Sequence, residues 1–226
     1  MSIETGLRER KRQRTRAAIV RAAMELFYER GFDATTVVDI AGAVEISPRT
    51  FFAYFPVKEA VVFPTAQKQL DLLKQLLAER GREESALQVW GQWVLGLDVA
   101  QQEFRAEDRR RRELIRETPS LVAYERTQQW HLEVLLADAI ADDMGVDRHA
   151  LAPRLAAAAA ASALDAINRH HDQAADRSSH AAPFDPAGMM AEAMVFLNGG
   201  LEALSLAATT GGRDGAEKPQ QISGRA

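Results

Sequence analysis

Residues 35–60 read TTVVDIAGAVEISPRTFFAYFPVKEA, and this stretch decides the fold. Thr35 and Thr36 offer an N-cap, and Val37, Ile40, Ala41 and Val44 follow at helical spacing. Ser47 is the next cap, and Pro48 takes the first helical position, where its missing N–H is no loss. Phe51 and Phe55, four residues apart, point to one core, which leaves Arg49, Thr50, Phe52 and Tyr54 outward. Two short helices around a tight turn, the second with a basic and aromatic outer face, form a helix-turn-helix. In such a motif the second helix enters the major groove of DNA. A helix this short has little reason to expose such side chains for stability alone.

The charge pattern on the N-terminal side agrees. Arg8, Arg10, Lys11, Arg12, Arg14, Arg16 and Arg21 stand there against only Glu4 and Glu9. The whole chain carries a formal net charge of −4, so a general affinity for polyanions is excluded and a local basic arm remains. No apolar run approaches the roughly 20 residues that span a bilayer, so no membrane partner is expected. The charged N-terminus is not a signal peptide, and the absence of cysteine excludes disulfides and thiolate metal sites. A cytoplasmic location is the expectation.

Helical periodicity runs through almost every segment, so the fold class is all-α. Helices are expected at about 13–30, closed by Gly31, through the motif to Phe55, and then at about 57–80. Pro64 falls inside that fourth helix and should kink or break it. Further helices are expected at about 84–104, 110–117, 119–144, 148–171 and 186–208, with a polar loop over 173–183. The division expected is a helix-turn-helix domain over 1–56, a larger helical domain over 57–208 and a disordered tail over 209–226.

The motifs ERGF-x-ATTV-x-DIA, ISPRTFFAYFP and KEAV between Arg10 and Phe63 resemble the TetR family of bacterial transcriptional regulators. The match covers about the first quarter of the chain, in residue type, spacing and order; TFFAYFP and ETPSL look most like actinobacterial members. The resemblance implies a homodimer that reads a palindromic double-stranded DNA operator and a C-terminal domain that binds a small organic effector. It implies a phosphate contact at Thr36, base or backbone contacts from Ser47, Arg49, Thr50, Phe52 and Tyr54, and a phosphate clamp at Lys58. Arg12 and Arg16 of the basic arm join that set. Three positions depart from the pattern: Glu45 stands where many members have glycine, Ala53 where arginine is usual, and Val57 where serine or threonine caps the next helix. They suggest weaker or altered operator binding, so a dimeric small-molecule binder with reduced DNA binding stays as the alternative.

In the central helices Phe63, Trp90, Trp93, Leu97, Phe104, Tyr124, Gln128 and His131 are candidate effector contacts, since apolar and aromatic walls with a few polar groups suit an organic ligand. The same residues could be plain core. Leu155 and Ala159, with Met190, Met194, Leu197, Leu201 and Leu204, recur at the spacing of a helix seam and are candidates for a dimer interface; burial within the chain is the other reading. No HExxH, no GxSxG and no phosphate-cradling glycine loop occurs, so neither an enzyme, a metal site nor a cofactor is expected.

Overall fold

The computed structural model describes residues 2–101, 105–177 and 185–211. Phe104, the polar loop from 178 and the tail from 212 lie outside the described residues. The elements are α1 (Ser2–Arg30), α2 (Val37–Ala43), α3 (Pro48–Phe52), a 3-10 turn (Glu59–Val61), α4 (Ala66–Glu79), α5 (Ala86–Gln101), α6 (Arg105–Glu117), α7 (Pro119–Met144), α8 (Leu151–Arg177) and α9 (Pro186–Gly211). The fold is all-α, with no strand among the described residues.

Local chemistry explains most boundaries. Gly31 and Gly145 end α1 and α7 at φ +86° and +63°, a left-handed backbone that costs glycine nothing. Pro119 opens α7, where a missing N–H is harmless. Pro64 breaks the expected fourth helix outright: a 3-10 turn precedes it, and α4 starts only at Ala66.

Four ends move outward from the expectation, one of them the start of α6, at Arg105 rather than about 110. The basic arm is helical from Ser2, because residues 7–30 hold no proline or glycine and are rich in good helix formers. Gln13 donates to Glu9 one turn earlier along it. α8 continues through 173–177 and α9 through Gly211, since polar side chains alone do not stop a helix.

The chain divides into two compact units. The first is Met1–Leu72 with Gln101–Trp130, and the second is Leu73–Ala100 with His131–Ala226. The first is built on Ile19 and Phe27 of α1, Ile40 of α2, Phe51 and Phe55, and it also takes in Ile115 of α6 and Leu121 of α7. The second packs Leu73 and Leu77, Leu87 and Trp90, Leu136 and Ile140, Met190 and Leu197 against Ala157 and Ala160. Those alanines let α8 and α9 lie close along each other.

Candidate nucleic-acid interface and effector cleft

Thr36 caps α2 through a reciprocal box. Its hydroxyl accepts the Asp39 N–H at 3.2 Å, and its own N–H donates to the Asp39 carboxylate at 2.8 Å. The Thr36 hydroxyl also donates to that carboxylate at 2.5 Å, and this bond first, then the one from the Thr36 N–H, holds the Asp39 carboxyl below its ordinary pKa. Thr35, the other candidate cap, is buried instead, and its hydroxyl donates to the Gly31 carbonyl at 2.8 Å. Ser47 caps α3 by accepting the Thr50 N–H at 3.0 Å, with the Thr50 hydroxyl a further 2.8 Å contact.

Between the two helices Glu45 sits at φ +54°. The Ile46 N–H reaches the Ala41 carbonyl at 2.9 Å and the Glu45 N–H the Gly42 carbonyl at 3.2 Å, which is a Schellman closure with glutamate in the left-handed place. Holding a side chain there costs about 1 kcal/mol.

The aromatic residues divide as the spacing requires. Phe51 and Phe55 are wholly buried, whereas Phe52 is 52% exposed and Arg49 is exposed on the same short helix. Tyr54 is half-buried, and the guanidinium of exposed Arg12 lies 6.0 Å from its ring centre. Arg12, Arg49, Thr50, Phe52 and Tyr54 therefore belong to the neighbourhood of one short helix.

Arg16 and Lys58 make bonds within the motif itself. Arg16 donates to the Tyr54 carbonyl at 2.7 Å and to the Pro64 carbonyl at 2.8 Å, and it stacks 4.0 Å from the Phe55 ring centre. Burial, and then the charge of Arg12, lowers its pKa, but an arginine remains charged. Lys58 donates to the carbonyls of Phe32 at 2.8 Å and Thr35 at 2.9 Å, with the Phe32 ring 4.0 Å away. Both cations hold the motif in place: Arg16 binds α1 to the segment after α3, and Lys58 binds the loop before α2. One signal for Arg16 was available, because residues 16, 19, 23 and 27 share a face of α1. Nothing near Lys58 in sequence reveals its two acceptors, 26 and 23 residues away.

In the second unit a cleft of about 560 Å³ opens between α5, α7 and α9. Leu87, Ile140, Met144 and Leu201 form its apolar lining; Ser85, Asp143, Asn198 and Glu202 are the polar groups. Asp143 is held in place by three elements. It pairs with Arg80 at 2.7 Å and accepts the Ala86 N–H at the start of α5 at 2.6 Å, and Arg80 also donates to the Ala139 carbonyl at 3.2 Å. The indole N–H groups of Trp90 and Trp93 are buried and, among the described residues, have no partner. Each unsatisfied buried donor costs about 1–3 kcal/mol.

The chain matches the bacterial regulatory proteins of the tetR family over residues 19–63 and the MftR C-terminal domain over residues 85–201, the latter just over half of its length. The chain belongs to the TetR family. The HTH-type transcriptional regulator TcmR of Streptomyces glaucescens is 37% identical over 149 residues, covering 63% of this chain and 66% of that protein. MftR of Mycobacterium tuberculosis is 33% identical over 121 residues, covering 52% of this chain and 60% of that protein. The chain thus aligns with slightly less than two thirds of either relative. NalD, the secondary repressor of the MexAB-OprM multidrug efflux pump in Pseudomonas aeruginosa, shares the fold at a TM-score of 0.52 and 18% identity, over 83% of this chain and 95% of that one.

Within this TetR chain the expected effector residues separate into two groups. Phe63 and Tyr124 meet in the first unit, ring centres 5.3 Å apart, and burial, then the Glu59 charge, raises the Tyr124 hydroxyl above its usual pKa. Gln128 is half-buried in that unit. Trp90, Trp93 and Leu97 belong to the core of the second unit, where His131 is exposed. The cleft itself was not legible, since its walls come from helices more than fifty residues apart.

The expected seam also lies differently from a plain interface stripe. Met190 and Leu197 are buried in the chain's own core, with Met194 and Leu201 packed against it and Leu204 half-buried. Helical spacing shows that a stripe is covered, not what covers it. Outward apolar groups are Val195 and Phe196, 76% and 72% exposed, with Leu151 and Leu155 of α8, at 70% and 48%; Ala159 is half-buried. Among the described residues no helix is long and apolar enough to cross a membrane, and no group of His, Asp or Glu is placed to hold a metal ion.

Proposed function

We propose that this TetR-family chain is a cytoplasmic, effector-released repressor that binds a palindromic double-stranded DNA operator as a homodimer. The outward face of α3 carries the reading: a capped five-residue helix exposing Arg49 and Phe52 while Phe51 and Phe55 anchor it. Residues 1–56 would read DNA, and 57–208 would bind effector and dimerise. Arg49 offers bidentate pairing to guanine, and Phe52 an apolar contact to a thymine methyl. Arg12 and Tyr54 lie beside them, with Thr36, Ser47 and Thr50 at the helix starts near the phosphates. Arg16 and Lys58 position these groups. Dimerisation through α8 and α9 would use Leu155, Val195 and Phe196, where the exposed glycines 199 and 200 leave room for a close partner helix.

Release by a small organic effector has a physical route inside the first unit. Ile115, Leu121 and Tyr124 share a core with Phe51 and Phe55, so a displaced α6 or α7 repacks the support of α3. A gel shift against the DNA upstream of the protein's own gene tests the reading. Specific, salt-dependent binding is expected, and Arg49→Ala should lower discrimination at one base pair by about 1–3 kcal/mol. Binding without sequence preference overturns it. That result favours the second reading, a dimeric small-molecule binder with weakened DNA binding, which the left-handed Glu45 motivates: its carboxylate is exposed just before α3.

A further inference from the structure

Leu87 of the cleft and the unpartnered Trp90 indole lie on one face of α5. Leu87, which lines the cleft, precedes Trp90 by three residues and Val94 by seven, so α5 presents all three on one side. Trp90 stands about 4.5 Å further along the helix than Leu87, and Trp93 about as far again. Trp90 is fully buried and Trp93 is 8% exposed, yet neither indole N–H has an acceptor among the described residues. Two buried donors without partners, in a core continuous with an open cleft, are what a ligand's oxygen atoms would satisfy.

The lining also selects against charge. It holds the carboxylates Asp143 and Glu202, and no basic residue is among the lining groups. Asp143 is already neutralised by Arg80. An anionic ligand would find no counter-ion there and would meet Glu202 at the mouth.

We infer that the effector is an uncharged, largely apolar molecule with a carbonyl oxygen, bound between α5, α7 and α9 so that the oxygen accepts from the Trp90 indole. This rests on the effector-responsive reading above and names the ligand class for it. Carbonyl-free hydrocarbons fill the same volume without satisfying the indole. Carboxylates satisfy the indole but not the rim.

The test compares xanthone with xanthene, which lacks the carbonyl, and with xanthone-2-carboxylate. Binding is measured calorimetrically on the full chain, alongside the indole N–H resonances of the 15N-labelled protein. Xanthone should bind about tenfold more tightly than either of the others. It should move the Trp90 indole resonance and leave that of Trp130, on α7 and 56% exposed, in place. Trp90→Phe, which keeps a ring and removes the donor, should erase the preference for xanthone over xanthene. Equal affinities, no binding of any probe, tighter binding of the carboxylate, or a shift confined to Trp130 overturns the inference. An operator gel shift without ligand is run in parallel. Retained operator binding with a failed xanthone series sinks the ligand class alone, whereas lost operator binding sinks the repressor reading.

Discussion

The helix-turn-helix and the core of the second unit treat their buried polar groups in opposite ways. In the first, the polar groups around the helix-turn-helix close on one another: Arg16 on two carbonyls, Lys58 on two more, Thr36 with Asp39, and Ser47 with the start of α3. In the second, Asp143 and Arg80 close the rim of a cleft while two tryptophan donors in the adjoining core stay open. The contrast fits the roles proposed for the two regions. A reader must hold α3 in one geometry before DNA arrives, so its own bonds are complete. A receptor core can leave donors unmatched, because a ligand completes them.

The comparison can be broken most directly at Arg16. Arg16→Ala removes two charge-assisted bonds and a ring contact, and urea unfolding should show a loss of about 3 kcal/mol. Operator affinity should then fall for every sequence alike. A stable variant with altered base preference would instead make Arg16 a DNA contact and undo the closed-reader picture. Lys58→Ala is next, at about 2 kcal/mol, because the Phe32 and Thr35 carbonyls lose their donor. If stability holds and only the salt slope of DNA binding drops, Lys58 is the phosphate clamp that the family resemblance implied.

Thr36→Ala should cost about 1 kcal/mol through the lost N-cap. It carries a pH signature as well. Asp39 titrates below its unfolded value, so its contribution is fully present above about pH 4 and fades as pH falls through the folded pKa. Unfolding measured between pH 5 and 2 should therefore be steeper in the parent chain than in Thr36→Ala. Parallel curves would mean that the capping box does not set that pKa. Glu45→Gly is the smallest change and the one with opposite sign, a gain of up to about 1 kcal/mol from relieving the left-handed backbone. Should operator affinity also rise, the Glu45 carboxylate is a brake on DNA binding rather than a bystander.

Much of the first unit was legible because its signals are local. Caps at Thr36 and Ser47, proline at the first position of α3 and α7, glycines after α1 and α7, and the inward pair Phe51 and Phe55 all act within four residues. The break at Pro64 is of the same kind, since ring and carbonyl clash within one turn. The bonds of Arg16 within the motif were not legible, because its acceptors lie 38 and 48 residues away. The apolar stripe on α9 was ambiguous for a related reason: periodicity reports burial, and a core and a dimer seam bury the same face.

By itself, then, the sequence determined that the chain is helical, where most helices begin and end, and that α3 carries an outward basic and aromatic face. Each follows from backbone geometry and side-chain chemistry within a turn or two. Only the tertiary structure decided which cations bond within the helix-turn-helix, which face of α9 stays exposed, and that a cleft opens beside a core holding two unpartnered indoles. Those depend on which distant helices meet, and long-range packing leaves no mark at short spacing.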